Sequence, residues 1–476
     1  MLSLLAARGA TRISRRQVLR SGAWGAFGLG FSSFARAGGE LAEASARATA
    51  KRCIYIFLCG GPSQHDLWDP KPDAPEGIRT TFKPIATSVP GVTFTELIPN
   101  VARHADKLAL VRSMTHGSPD HNFGIAHTLA GKRPVRPDDV FVTTQDHPAL
   151  GAILHKLKGE SGLVPPWVIL PRPFTTISPP HKGQSAGFLG PAFDAVALDE
   201  RKHDSLAPKD LKFDAFDLPP NVGPDRFAAR RGLLAGSETR QAVPRDPNEH
   251  ERWAATFDKA TRMIASDSCR RAFDLTREDP RVRDRYGRNE YGQSFLLARR
   301  LVEAGVRFVN VFWTYFDDKG CQFNLWDNHG VMSGNPCVGG ARTGHDMLVH
   351  PYCAPSFDRS FSALLEDLDA RGMLDDTLVV VAGEFGRTPK LNPFAGRDHW
   401  PGAYTQILAG GGVRGGQVYG ASDKNGAHVK DRPVSPEDFH ATILHAFGLS
   451  CDEMILDPLD RPIRITDGTP LTGLFG

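Results

Sequence analysis

With 476 residues, 41% of them hydrophobic and 23% charged, the chain has the composition of a folded globular protein. Its length suits two or three domains, or one large decorated domain. A net charge of +3, with acids and bases mixed along the chain, gives no basis for a nucleic-acid partner. Past residue 40 no stretch approaches the ~20 apolar residues of a membrane-spanning helix, so none is expected in the mature chain.

Residues 1–37 read as an address. Ser14-Arg15-Arg16-Gln17-Val18-Leu19-Arg20 resembles the twin-arginine export signal. A weakly apolar, glycine-rich stretch follows from Ser21 to Phe34, then the small-residue cleavage pattern Ala35-Arg36-Ala37. This predicts handling by the twin-arginine translocase, a mature chain starting near Gly38, and a periplasmic or extracellular location. Seven cysteines are an odd number for a compartment that permits disulfides. Cys53 and Cys59 lie in or beside a strand-like run and read as packed thiols, whereas Cys321, Cys337 and Cys353 are spaced to staple a loop.

The first strand signal is Cys53-Ile54-Tyr55-Ile56-Phe57-Leu58, followed by Gly60-Gly61-Pro62-Ser63-Gln64-His65-Asp66. Leu108 to Arg112 is a second strand, and His121 to Ala130 a short helix that Gly131 closes. Between them, Ser113 to Asn122 carries Thr115, His116, Ser118 and His121 at a helix start. Hydroxyls there are caps, or line an anion pocket, or act as nucleophiles. Residues 135–245, dense in Pro, Gly and charge, read as an insertion with one strand at Trp167 to Leu170. Helical patterns return at Asn248 to Ala265 and Tyr291 to Ala304.

Val306 to Trp313 is the next strand, and Trp326-Asp327-Asn328-His329-Gly330 lies beyond it. In an extended segment, residues i and i+2 point the same way, so Asp327 and His329 could share one ion. Ser356 to Arg371 places Phe357, Phe361, Leu364, Leu365 and Leu368 on one helical face, and Gly372 ends the helix. Leu378 to Ala382 is a buried-type strand leading to Gly383-Glu384-Phe385-Gly386-Arg387-Thr388-Pro389. Gly396-Arg397-Asp398-His399-Trp400-Pro401 adds a second acid–imidazole pair. Glu384 could ligate a metal, act as a base, or simply pair with Arg387; Arg387 could instead hold an oxyanion. The glycine-rich Gly410 to Gly416 follows another strand but lacks the Lys-Ser/Thr of a nucleotide loop, and reads as a turn.

Alternating strands and helices predict an α/β fold with a mostly parallel sheet. In such sheets the loops past the carboxyl ends of the strands share one crevice. Carboxylates and imidazoles gathered there would suit a divalent metal.

The runs 60–72, 326–330, 383–389 and 396–401 together resemble the motifs of the exported domain of unknown function family 1501. That family is similar in layout to the alkaline phosphatase and sulfatase superfamily. The resemblance implies a three-layer sandwich and a metal-dependent hydrolase of a phosphate or sulfate ester, on a small-molecule or glycan substrate. It also implies Asp66 as the first metal-binding acid and Ser118 or Thr115 as nucleophile. Asp327, His329 and His399 would form one metal site, with Glu384 as the acid of a second. Zn or Mn is favoured over Mg because imidazoles contribute. Arg387 or Arg397 would stabilise charge, and His121 or His116 would move a proton.

Two departures stand out. Phe385 occupies the place of a metal-binding histidine, so a second site would need His65 or His121. The stretch 118–131 also lacks the signature for formylglycine conversion. A contrasting expectation is therefore an exported binding protein on a degenerate hydrolase scaffold.

Overall fold

The computed structural model describes residues 49–134, 141–174, 181–197, 221–238, 260–261, 263–316, 322–324, 326–330 and 343–476. The export signal, most of the expected helix at 248–265, Cys321 and Cys337 lie outside these residues, as does much of the expected insertion.

Eight strands build the main sheet: β1 (Arg52–Leu58), β2 (Leu108–Met114), β3 (Trp167–Leu170), β4 (Val196–Ala197), β5 (Phe308–Trp313), β6 (Thr377–Ala382), β7 (Tyr404–Ala409) and β8 (Gln417–Tyr419). Their order across the sheet is β8-β2-β7-β6-β1-β5-β3-β4. β1 pairs in parallel with both β6 and β5, and β3 pairs in parallel with β5 and β4. Only β7 runs against its neighbours, β6 and β2. The sheet is thus mostly parallel. The carboxyl ends of β1, β2, β5 and β6 share one edge with the amino end of β7.

Strand periodicity accounts for the layering. Successive side chains alternate between faces, so Ile54, Ile56 and Leu58 join one core, and Cys53, Tyr55 and Phe57 the other. Both faces are covered by helices, which is why β1, β5 and β6 are mostly apolar, with Asn310 the polar residue inside β5. Helices α1 (His121–Ala130), α2 (Leu150–Lys158) and α5 (Pro436–Ala446) cover the Tyr55 face. The Ile54 face is covered by α3 (Glu290–Glu303) and α4 (Ala354–Ala370). Phe357, Phe361, Leu364, Leu365 and Leu368 of α4 are all fully buried. Each contributes about 1.5–3 kcal/mol of transfer free energy.

Part of the Pro/Gly-rich region belongs to the sheet, since β3 and β4 extend it beyond β5. The turn from Gly410 leads into β8, with Gly410, Gly411 and Gly412 in the left-handed region. Cys53, Cys59 and Cys353 are buried free thiols. Among the described residues no helix is long and apolar enough to cross a membrane.

Candidate metal centre

At the shared edge, Asp327 is the hub. Its Oδ1 faces His399 Nε2 at 3.1 Å and accepts from Arg387 Nη2. Its Oδ2 faces His121 Nε2 and His329 Nε2, each at 3.2 Å. Ligand atoms of His121, Asp327 and His399 all lie within 4.8 Å of one another.

Each side chain arrives by a different device. His121 opens α1, where Asp120 caps the helix by accepting from the Phe123 amide at 2.9 Å. His399 lies on a two-residue strand, directly across from Arg387 in an antiparallel pair. That register aims both at Asp327 Oδ1. The 396–401 segment enters the crevice because β7 is antiparallel and begins at this edge. Gly60 has φ +116°, and a Cβ there would lie 2.6 Å from the Asp327 amide. Glycine is what lets the β1 exit pass so close to the Asp327 loop.

The protons decide what the cluster can bind. His121 Nδ1 is 2.8 Å from Glu384 Oε1, and His399 Nδ1 is 2.9 Å from the Pro119 carbonyl oxygen. A carbonyl or an ionised carboxylate only accepts, so each Nδ1 carries the proton. In their neutral forms both rings then turn an Nε2 lone pair toward the Asp327 carboxylate. Converging lone pairs repel unless a cation lies among them. A divalent ion bound by about 2.0–2.2 Å bonds in tetrahedral geometry would set its ligand atoms about 3.3 Å apart. His399 Nε2 stands 3.1 Å from Asp327 Oδ1 and His121 Nε2 3.2 Å from Oδ2, each close to that spacing through a different carboxylate oxygen. Without a cation the Asp327 and Glu384 carboxylates instead favour the protonated form of His121. Burial pulls the His121 imidazole down, but Asp327 and Glu384 outweigh it and lift it to about 9. Burial would raise the Asp327 carboxyl, yet Arg387 and the three imidazoles hold it well below the usual carboxylate range.

The other expected residues are placed as follows. His329 touches Asp327 from the more open side, its side chain 41% exposed. Glu384 is fully buried behind His121, with Oε1 accepting from the Gly60 amide at 2.7 Å. Asp66 is not gathered with them: it binds Arg397 through Nε (2.9 Å) and Nη2 (3.3 Å), and accepts from Ser63 and Thr80.

Both arginines are committed. Arg397 gives its remaining N–H groups to the carbonyls of Thr388, Pro389 and Ile78. Arg387 binds the Gly60, Gly61 and Arg397 carbonyls besides Asp327, so its ion pair is with Asp327 and not with Glu384. Both are fully buried, and neither offers a free face to an oxyanion.

Thr115 Oγ1 donates to the Pro401 carbonyl at 3.2 Å, and Ser118 Oγ accepts from the Asp120 amide at 3.3 Å. His116 receives the Ser118 amide at Nδ1 and donates from Nε2 to the Glu384 carbonyl at 2.6 Å, which fixes it as neutral. Burial agrees, holding its pKa down at about 4. Phe385 lies against both ligand rings, its centroid 4.8 Å from His121 and 4.8 Å from His399. His181, which no motif singled out, sits near enough to feel the charges of Glu384, His121 and Asp120. Its only sequence signal is a histidine within the Pro-rich stretch.

The molecule is therefore a mostly parallel α/β sandwich with a histidine–carboxylate centre at the carboxyl edge of its sheet. The chain belongs to the family described as "Protein of unknown function (DUF1501)", which it matches over residues 50–475. No curated protein matches it. Among solved structures it is similar to the PsFucS1 sulfatase from Pseudoalteromonas sp., at 13% identity over 86% of this chain and 72% of that one, with a TM-score of 0.38. The phosphonate monoester hydrolase SpPMH from Silicibacter pomeroyi is similar at 14% identity over 89% and 76%, with a TM-score of 0.35. The lipoteichoic acid synthase LtaP from Listeria monocytogenes is similar at 8% identity over 87% and 79%, also with a TM-score of 0.35.

Proposed function

We propose that this chain is an exported, metal-dependent hydrolase of a phosphate or sulfate ester. The observation that carries the metal is the convergence of His121 Nε2, His399 Nε2 and Asp327 with both Nδ1 protons already assigned. The ester class follows from the motif resemblance to the alkaline phosphatase and sulfatase superfamily. The twin-arginine motif supports export to the periplasm or beyond, by a route that carries folded, metal-loaded proteins.

His121, Asp327 and His399 would hold one ion, with His329 as a further ligand on the open side. Zn or Mn suits a set rich in imidazole. When bound, such an ion supplies Lewis acidity and a bound water of lowered pKa. Phe385 packs where another donor would have to stand, which supports one ion over two.

The chain's own groups divide the remaining work. Arg387 holds Asp327 in place and Arg397 holds Asp66, so both act as positioning residues, and Asp66 with them. His329, the most open of the imidazoles around Asp327, is the group placed to exchange a proton with solvent. Ser118 is the better-placed hydroxyl, since Thr115 already donates to Pro401 and Pro119, next to Ser118, holds His399.

The test is to purify the mature protein, measure bound metal by mass spectrometry, and screen aryl phosphate and sulfate esters. Asp327→Ala and His399→Ala should lose metal and esterase activity together. Activity in a metal-free variant overturns this reading. One observation favours a second reading, an exported binding protein: Arg387 and Arg397 are both spent on backbone and carboxylates, so neither guanidinium is left for transition-state charge. Stoichiometric metal with no turnover on any ester would select it.

A further inference from the structure

We infer that Glu384 is a positioning residue that fixes the tautomer and aim of His121, and is neither a metal ligand nor a base. The inference rests on the metal-centre reading above. The two nitrogens of an imidazole point away from each other. Glu384 Oε1, bonded to Nδ1 at 2.8 Å, therefore stands behind the ring while Nε2 faces Asp327. An oxygen so placed cannot share the ion that Nε2 would bind. It can hold the proton on Nδ1, as an outer carboxylate does for a ligating histidine.

The surroundings fix Glu384 before any ion arrives. Its side chain is fully buried, and the Gly60 amide binds the same Oε1 at 2.7 Å. Its carbonyl is held by His116 Nε2 at 2.6 Å. Helix α1 can bring His121 this close because Gly124 lacks a side chain: a Cβ there would lie 2.9 Å from the Glu384 carbonyl oxygen. Oε2 is buried with no hydrogen-bond partner among the described residues, so the carboxylate's contacts fall on Oε1. For His399 the Pro119 carbonyl does the same task without a charge. The two rings are thus oriented by unequal acceptors, and His121 is the one that a single side-chain change can release.

The test uses the full mature chain with zinc as probe. Affinity is measured by chelator competition, and the ring tautomers by long-range proton–nitrogen NMR on ¹⁵N-histidine protein. Wild type should show His121 protonated at Nδ1 and bound to zinc at Nε2. Glu384→Leu, which removes the acceptor behind Nδ1, should weaken zinc binding roughly 10–100-fold and lose that tautomer signature. Asp327→Ala should abolish binding. Glu384→Asp, which withdraws the acceptor by one methylene, carries the same expectation should the Leu variant not fold. Wild-type zinc affinity with an unchanged His121 signature in a folded Glu384 variant overturns the inference. So does a loss as complete as that of Asp327→Ala with the signature intact, which would make Glu384 a ligand. Zinc retained by Asp327→Ala would instead remove the metal-centre reading itself.

Discussion

Arg387 and Asp327 form a part-buried ion pair in which the fully buried guanidinium also clamps the Gly60, Gly61 and Arg397 carbonyls. One side chain therefore joins the exits of β1, β5 and β6. Arg387→Met should destabilise the protein by about 3 kcal/mol, the lower end for a broken buried pair, because it leaves a part-buried carboxylate and three carbonyls without their donor. Urea unfolding would measure this. A loss below about 1 kcal/mol, the scale of exposed pairs, would show that the clamp is not needed.

Asp66 governs part of the acid response. Burial would raise its carboxyl, but Arg397, Ser63 and Thr80 together hold it below the usual value. A depressed carboxyl contributes stability that is fully present above its unfolded pKa, near 3.9, and is lost as pH falls through the folded value. Asp66→Asn should be less stable at pH 7 and lose less on acidification below about pH 4. Parallel pH–stability curves for the two proteins would refute this.

His440 acts over a higher pH range. It is buried against Gly131, neither ring nitrogen has a hydrogen-bond partner among the described residues, and burial lowers its pKa to about 3. The unfolded chain takes up a proton near pH 6.5, whereas the folded chain does not until about 3. Stability should therefore fall as pH drops from about 6.5, by up to ~1.4 kcal/mol per unit from this group. His440→Leu should flatten that slope between pH 7 and 5. An unchanged slope in urea midpoints would assign the acid sensitivity elsewhere.

Metal should stabilise the fold by linkage. At 100 times its dissociation constant, zinc should add about 2.7 kcal/mol to wild type, reversibly removed by a chelator. Asp327→Ala should show no such gain. Thermal melts that rise equally for both proteins would place the zinc outside this centre.

Gly124→Ala tests the helix–loop contact. The added methyl would press on the Glu384 carbonyl oxygen at 2.9 Å and on its Cβ at 3.1 Å. Overpacking of this kind costs about 1–3 kcal/mol. A melting temperature equal to wild type would mean that α1 shifts freely.

Much of this architecture could be read from the chain. Periodicity placed α1 at His121–Ala130 and β3 at Trp167–Leu170, and the apolar face of α4 is the one that is buried. These are local signals, since an element's period depends on which of its own neighbours meet the core. That acids and imidazoles follow the strands was equally visible.

The sequence could not choose partners across some 300 positions. Asp66, Asp327 and Glu384 are alike as residues, yet one is bound to Arg397, one is the hub of the cluster, and one backs His121. That choice depends on distances set by the order of strands, including the reversed β7 that carries His399 into the crevice. Residue type and spacing determined which chemistry the crevice has at hand. Only tertiary packing decided which lone pairs face one another, because hydrogen bonding and ion pairing act within about 3 Å and have no signature along the chain.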